Sequence, residues 1–134
     1  MTPTAVLDAS ALLAYLHDEA GAEAVEEALA GVAAIGSPNL GEVLSKLADE
    51  DQDPGRVAAR LEQRGLLGQA LIVEPLATED AVRIARLRPK TRQAGLSLGD
   101  RACLAIALRL KLPAVTADRS WLEVDVGVDV RSIR

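Results

Sequence analysis

Four acidic residues are the side chains of this chain best suited to carry chemistry: Asp8, Glu42, Asp100 and Asp118. Asp8 ends a short apolar run, and Asp118 follows shortly after another. Glu42 adjoins the apolar face of an amphipathic segment, and Asp100 stands just before a long apolar stretch. Carboxylates that are crowded together repel one another unless a cation neutralises them. Hard oxygen ligands of this kind suit Mg²⁺ or Mn²⁺, so the four acids predict one divalent-metal site.

Such a site can activate a water molecule and stabilise the attacking and leaving oxygens of a phosphodiester displacement, with two ions ~4 Å apart. No other set of residues competes with the acids. His17 is the only histidine, which excludes a two-histidine ribonuclease and argues against a histidine-based zinc site. Cys103 is the only cysteine and lies in an apolar stretch, so we expect a buried side chain rather than a reactive thiol.

Each acid, taken alone, also has a purely structural interpretation. Asp8 can cap a helix or form a turn, Asp100 can complement a helix dipole, and Glu42 can be a solvated side chain. The metal interpretation therefore depends on whether the fold brings the acids together.

Length and composition favour one domain over residues 1–134. Of the 134 residues, 49% are hydrophobic, which is enough for a core without disulfides. That core must be aliphatic, because Tyr15 and Trp121 are the only aromatic side chains. No segment approaches the ~20 apolar residues of a membrane span, and the N-terminus lacks the basic region of a signal peptide. Together with the lone cysteine, these features predict a cytoplasmic protein.

The spacing of the apolar residues predicts alternating strands and helices. Apolar runs and one alternating segment indicate strands at 5–7, 32–35, 71–73, 114–116 and 126–130. Helical spacing indicates helices at 11–16, 20–30, 40–47, 54–65, 79–89 and 97–112. Thr78 is the expected cap of the fifth helix and Pro89 its end, and the sixth helix is expected to be the longest.

This order of elements is typical of βαβ units, so the predicted fold class is α/β, a three-layer α/β/α sandwich with a parallel sheet. In open parallel sheets, ligands bind beyond the carboxyl ends of the strands, at the point where the strand order reverses. If the first and fourth strands flank that point, Asp8 and Asp118 face each other across it.

The basic residues are unevenly distributed. A formal net charge of −5 argues against a protein that coats nucleic acid nonspecifically. One segment without any acid nevertheless concentrates five cations within ten residues: Arg83, Arg86, Arg88, Lys90 and Arg92. This segment is either a solvated helix end and loop or an edge that binds phosphate.

Four segments, in order and spanning nearly the whole chain, resemble the motifs of PIN domains, and in particular those of VapC-type toxins from prokaryotic toxin–antitoxin pairs. They are Val6-Leu7-Asp8-Ala9-Ser10-Ala11-Leu12-Leu13-Ala14, Asn39-Leu40-Gly41-Glu42-Val43, Ser97-Leu98-Gly99-Asp100-Arg101-Ala102 and Thr116-Ala117-Asp118-Arg119. One such motif would be weak, but four at these spacings in a chain this short are specific.

The resemblance implies a sheet of order 3-2-1-4-5 and an endoribonuclease that depends on Mg²⁺ or Mn²⁺. It implies that Asp8, Glu42, Asp100 and Asp118 are both the catalytic and the metal-binding acids. It also implies a VapB-type antitoxin as inhibitor and a homodimer. Supporting polar groups would be Ser10, Asn39 and Thr116. The RNA backbone would be guided by the basic segment and by Arg101 or Arg119, although these arginines could instead bind acidic groups of a partner.

Two other classes of protein remain as alternatives. A PIN fold could serve only as a binding module, which would show no RNA cleavage with Mg²⁺ or Mn²⁺. A receiver-like signalling domain also gathers acids around Mg²⁺, but it needs a phosphoacceptor aspartate at the end of a central strand and a nearby lysine. Here the third strand ends in Glu74-Pro75, and no lysine follows a suitable strand.

Overall fold

Five parallel strands form the central sheet of the computed structural model, which describes residues 2–134. They are β1 (Ala5–Leu7), β2 (Ala33–Gly36), β3 (Leu71–Glu74), β4 (Ala114–Thr116) and β5 (Val130–Ser132). Their order in the sheet is β3-β2-β1-β4-β5, which confirms the predicted order. β1 is therefore central, and the sheet reverses its strand order between β1 and β4.

Six α-helices and one short 3-10 helix connect the strands within the described residues. They are α1 (Ala9–Leu16), α2 (Ala22–Ala30), α3 (Ser37–Asp49), α4 (Pro54–Gln63), α5 (Thr78–Thr91), α6 (Leu98–Leu110) and the 3-10 helix (Arg119–Glu123). None of the helices in residues 2–134 is long and apolar enough to cross a bilayer.

The alternation of side chains along each strand sorts the core into two halves. Ala5 and Leu7 of β1 join a core formed with α1, α2, α3 and α4. Val6, between them, points to the opposite face and joins the core of α5 and α6, which also contains the fully buried Trp121. The predicted α/β/α sandwich is thereby confirmed, with an aliphatic interior on both faces of the sheet.

The expectation that Pro89 ends the fifth helix was wrong. Helix α5 continues through Pro89 to Thr91 and, at 14 residues, is one residue longer than α6, which the sequence had suggested as the longest. Proline lacks the amide that would bond the Ala85 carbonyl, but only two residues of α5 follow it, so little of the helix depends on that bond. The buried Thr91 hydroxyl donates to the Leu87 carbonyl over 2.8 Å, which supports the last turn.

Two further boundaries differ from the prediction. Thr78 does not cap α5, because it is already helical and Ala77 holds the capping position. The Ala77 amide donates to Asp80 Oδ2 over 2.9 Å. The start of α5 is therefore capped by the side chain of a residue in its own first turn. The last strand lies at Val130–Ser132 rather than at 126–130, because the chain turns at Gly127, where φ is 79°.

A buried ion pair joins α5 and α6 to the sheet. Asp80 is fully buried and accepts a hydrogen bond from Arg109 Nε over 2.9 Å. Arg109 also lies 3.5 Å from Glu74 at the end of β3. Burial would raise the pKa of Asp80, but the Ala77 amide and Arg109 outweigh it and hold the pKa below its ordinary value. Asp80 is thus ionised and paired, and it fixes the start of α5 against the end of α6.

Asp80→Ala should lower the free energy of unfolding by about 2 kcal/mol, because it removes the closest partner of Arg109, which stays partly exposed and keeps Glu74. Glu79→Ala is the matched control, since Glu79 is an exposed acid in the same helical turn; it should change stability by less than about 0.5 kcal/mol. Urea denaturation at pH 7 measures both. Equal losses in the two variants would contradict the proposed role of this ion pair.

Candidate metal centre

Asp8 lies at the carboxyl end of β1 and is only 3% exposed. It caps α1: the Ala11 amide donates to Asp8 Oδ1 over 2.8 Å. The Ser10 hydroxyl lies within 2.8 Å of Oδ1 and 2.9 Å of Oδ2, and the Thr116 hydroxyl donates to Oδ2 over 2.6 Å. Every recorded partner of this carboxylate is therefore a neutral donor.

The pairing of β1 with β4 brings the Asp118 segment to the same place. Leu7 pairs with Val115, so Thr116 stands beside Asp8. The Asp118 amide donates to Thr116 Oγ1 over 3.0 Å, and the Ala117 amide donates to Ser10 Oγ over 2.9 Å. Two hydroxyl side chains thus link the Asp8 carboxylate to the backbone that carries Asp118.

Asp118 is exposed and caps the 3-10 helix, with Oδ1 accepting from the Ser120 amide over 2.9 Å and from its hydroxyl over 2.7 Å. Ser120 was not among the residues predicted for the site. A signal was present, because Asp118 and Ser120 repeat the spacing of Asp8 and Ser10. In both places the serine two residues after the aspartate hydrogen-bonds with its carboxylate.

Glu42 lies in α3 and is the longest of the four acidic side chains. Asn39, one turn earlier and 1% exposed, donates from Nδ2 to Glu42 Oε1 over 3.3 Å. The same Nδ2 donates to the Gly99 carbonyl of α6 over 2.9 Å. Burial, and then the nearby Asp100 carboxylate, raise the pKa of Glu42 above its ordinary value, although Asn39 and Lys46 partly oppose them.

Asp100 occupies the first turn of α6 in a capping box. Its Oδ2 accepts from the Ser97 amide over 2.8 Å, and its own amide donates to Ser97 Oγ over 3.1 Å. Asp100 therefore has a structural role at the start of α6, as its position in the sequence suggested. This role does not exclude a second one, because the Asp100 charge also raises the pKa of both Asp8 and Glu42.

The Asp100 carboxylate is close enough to Asp8 and to Glu42 to affect both electrostatically. Burial raises the pKa of Asp8 to about 6, with a smaller contribution from Asp100, against hydrogen bonds from Thr116, Ala11 and Ser10 that lower it. Within residues 2–134, however, no three acidic, histidine or cysteine side chains already converge where one ion could sit. Asp100 and Asp118 are turned toward their own caps, so a cation would compete with those local hydrogen bonds.

The residues present suit a divalent cation. None of the ion pairs formed within residues 2–134 includes one of the four acids. A buried carboxylate without a cationic partner is costly, and hard oxygen donors are the ligands that Mg²⁺ and Mn²⁺ prefer. The missing positive charge at Asp8 is what such an ion would supply.

The predicted basic contacts fall into two groups. Four are exposed and enter no ion pair recorded within the described residues; we call them the α5 cation cluster: Arg86, Arg88, Lys90 and Arg92. Arg83 lies 3.6 Å from Asp80, and Arg119 Nη1 donates to the Arg134 carbonyl over 2.7 Å. Arg101 is 7% exposed, and its Nη1 donates to the Ile84 carbonyl over 2.9 Å. In this conformation Arg101 braces α6 against α5 and is turned away from solvent.

Two residues that the sequence excluded from the chemistry have other roles. His17 Nε2 is 3.1 Å from Glu50 Oε1 at the surface. Cys103 is fully buried in α6, and burial raises the pKa of its thiol well above the ordinary value. A thiol in that state is a packing side chain rather than a nucleophile.

A parallel sheet of this order, with acids gathered at its carboxyl edge, is the arrangement of a known family. The PIN domain family model matches residues 5–127, and the chain belongs to that family. No curated protein sequence matches it significantly.

Several solved structures share the fold. A toxin–antitoxin complex from Klebsiella pneumoniae contains a chain with a TM-score of 0.73 and 20% identity, over 98% of each chain. DNA-bound VapBC from Salmonella typhimurium gives a TM-score of 0.72 and 18% identity over 100% of both chains. FitAcB from Neisseria gonorrhoeae gives 0.70 and 19%, over 97% of this chain and 98% of that one.

The raised pKa of Asp8 predicts a pH-dependent stability. A carboxyl whose pKa is higher in the folded state stabilises the fold at low pH, and this contribution is lost as the pH rises through about 6. Between pH 4 and pH 7.5, the wild type should therefore lose about 2 to 3 kcal/mol of unfolding free energy relative to Asp8→Asn. Urea denaturation in EDTA measures this difference. Parallel pH profiles for the two proteins would show that Asp8 carries no such cost.

Proposed function

We propose that this protein is a divalent-metal-dependent endoribonuclease and the toxin of a VapBC-type toxin–antitoxin pair. The observation that carries the proposal is the buried Asp8 carboxylate, which has only neutral partners and faces further acids at the switch point of the sheet. PIN domains are generally nucleases, which supports the same reading. The full acidic set is present, so the domain has the donors that hydrolysis requires.

Asp8, Glu42, Asp100 and Asp118 are the residues proposed to hold Mg²⁺ or Mn²⁺. A bound divalent cation would supply Lewis-acid activation of water and neutralise charge that develops on the phosphate. The chain's own contribution is orientation. Ser10 and Thr116 hold the Asp8 carboxylate from two sides, and Asn39 directs the Glu42 carboxylate, so these three residues fix the oxygens before any ligand arrives.

The exposed cations explain how an acidic site can accept a polyanion. The short connection 92–97 leads from α5 directly into the first turn of α6, which carries Asp100. The α5 cation cluster is therefore separated from the helical turn that carries Asp100 by one short connection. We assign the RNA backbone to this cluster, with Arg119 beside Asp118 as a further contact.

The proposed protein partners are a VapB-type antitoxin and a second copy of the chain. The structural neighbours named above include DNA-bound VapBC from Salmonella typhimurium and a toxin–antitoxin complex, which support an antitoxin as the first of these. An antitoxin that presents a cationic side chain to the four acids would supply the charge they lack and occupy the place of the metal. This electrostatic competition is the proposed basis of inhibition.

RNA cleavage should require Mg²⁺ or Mn²⁺ and the Asp8 carboxylate. Asp8→Asn keeps the shape of the side chain and should lower kcat/KM by roughly 100-fold or more, about 2.7 kcal/mol of transition-state stabilisation. Asp49→Asn, an exposed acid at the end of α3, is the control and should cleave like the wild type. Gel analysis of single-stranded RNA with metal or EDTA measures the rates, and growth of a bacterial host on expression gives a second readout.

RNA cleavage by the wild type in EDTA would rule out the proposed chemistry, and so would equal activity of Asp8→Asn and wild type. Absence of cleavage by the wild type with either metal would instead favour the binding-module alternative. That outcome is separable from misfolding by the urea denaturation curve of the same preparation.

Removal of the α5 cation cluster should weaken RNA binding and its dependence on salt. The slope of log kcat/KM against log salt should fall in magnitude by up to about 3, since each lost phosphate contact removes about 0.7. The variant combines Arg86→Gln, Arg88→Gln, Lys90→Gln and Arg92→Gln. The control removes exposed cations of α4, on the other face of the sheet, by Arg56→Gln, Arg60→Gln and Arg64→Gln. An unchanged slope in the first variant would move the RNA path elsewhere.

A further inference from the structure

Gly99 lies in the first turn of α6, immediately before Asp100, and its backbone does not require glycine. Its φ is not among the positive values, which occur at other glycines such as Gly95 and Gly127. Alanine would be favoured in a helix by as much as about 1 kcal/mol. Another reason must therefore account for the absence of a side chain at position 99.

The space beside Gly99 holds the Glu42 carboxylate. A Cβ built on Gly99 would overlap Glu42 Oε1, and it would lie 2.8 Å from Cδ and 3.3 Å from Oε2. All three of its nearest neighbours belong to Glu42. A side chain at position 99 and the Glu42 carboxylate in its present place therefore exclude each other.

The backbone of Gly99 acts on the same carboxylate through Asn39. The Gly99 carbonyl accepts from Asn39 Nδ2 over 2.9 Å, and that nitrogen also donates to Glu42 Oε1 over 3.3 Å. A carbonyl can only accept, so Gly99 determines which way the Asn39 amide faces. Gly99 thus positions the Glu42 carboxylate in two ways. Its lack of a side chain leaves room for the carboxylate, and its carbonyl oxygen orients the Asn39 amide that bonds to it.

We propose that Gly99 is a positioning residue of the metal site: it lets the Glu42 carboxylate of α3 lie against the first turn of α6, beside Asp100. This inference rests on the proposed metal-dependent function. The obstructed group is the far end of a flexible and exposed side chain, so Glu42 can turn away without disturbing the fold. A substitution at position 99 should therefore separate metal affinity from stability.

The test compares Gly99→Ala with Gly41→Ala. Gly41 lies in α3 without positive φ, and a Cβ there would meet no atom within 4 Å, so the control reproduces the change in helix propensity alone. Metal-free melting temperatures should be similar for the two variants. Calorimetric titration with Mn²⁺ should show a Kd raised roughly 10-fold or more for Gly99→Ala, in the range usual for residues that orient metal ligands, and less than about 2-fold for Gly41→Ala.

Glu42→Asp provides a second variant, because the shorter side chain withdraws from position 99. On that background Gly99→Ala should change the Kd for Mn²⁺ by less than about 3-fold, so the two substitutions are strongly non-additive. Equal Mn²⁺ affinity of Gly99→Ala and wild type would overturn the inference, and so would full additivity with Glu42→Asp.

A wild type that fails to bind Mn²⁺ would refute the metal site itself, and the role of Gly99 would still be decided by geometry. A crystal structure of metal-free Gly99→Ala should show that the contact between Asn39 Nδ2 and Glu42 Oε1 is broken. Retention of the Glu42 carboxylate in its wild-type position would overturn the inference.

Discussion

The parallel pairing of β1 with β4 is the interaction on which the candidate site depends. It sets Thr116 beside Asp8 at the one place where the sheet reverses its strand order. In open parallel sheets, ligands bind at such a point, beyond the carboxyl ends of the strands. Asp8 is buried at this point, and its hydrogen-bond partners are neutral. This burial is the main cause of the raised pKa of Asp8, and the nearby Asp100 charge adds to it. A bound cation or a cationic partner would offset both effects.

Three of the four acids also begin a helix. Asp8 caps α1, Asp118 caps the 3-10 helix, and Asp100 closes the capping box of α6. The capping and metal interpretations, which compete when each residue is considered alone, therefore describe the same side chains. Local caps hold the acids apart and limit their mutual repulsion while no cation is present. A ligand of these acids must then bind the carboxylates more strongly than the capping hydrogen bonds do. A divalent ion or a guanidinium can do so because it carries positive charge, whereas a neutral group cannot.

The sequence was sufficient for the features that depend on local pattern. Short apolar runs and helical spacing predicted the α/β/α layers, and the placement of Asp8 after β1 followed from the run itself. Features set by contacts distant in sequence were not accessible. Arginine is usually a surface residue, yet Arg101 is buried because α6 packs close to Ile84 of α5. The end of α5 was mispredicted for a different reason, because Pro89 was given more weight than the local hydrogen bond from the Thr91 hydroxyl to the Leu87 carbonyl.

The difference between local pattern and distant contacts also explains why the sequence assigned no role to Gly99. A glycine in a helix is recognised from sequence by the backbone conformation it permits, whereas Gly99 matters through the space it leaves for a residue 57 positions earlier. The candidate site is therefore arranged by the packing of α3 on α6 as much as by the sheet. Asn39 makes that packing specific, since one nitrogen bonds both the Gly99 carbonyl and Glu42. Small movements between these two helices would be transmitted directly to the Glu42 carboxylate, whereas Asp8, held by neighbouring strands, would remain in place.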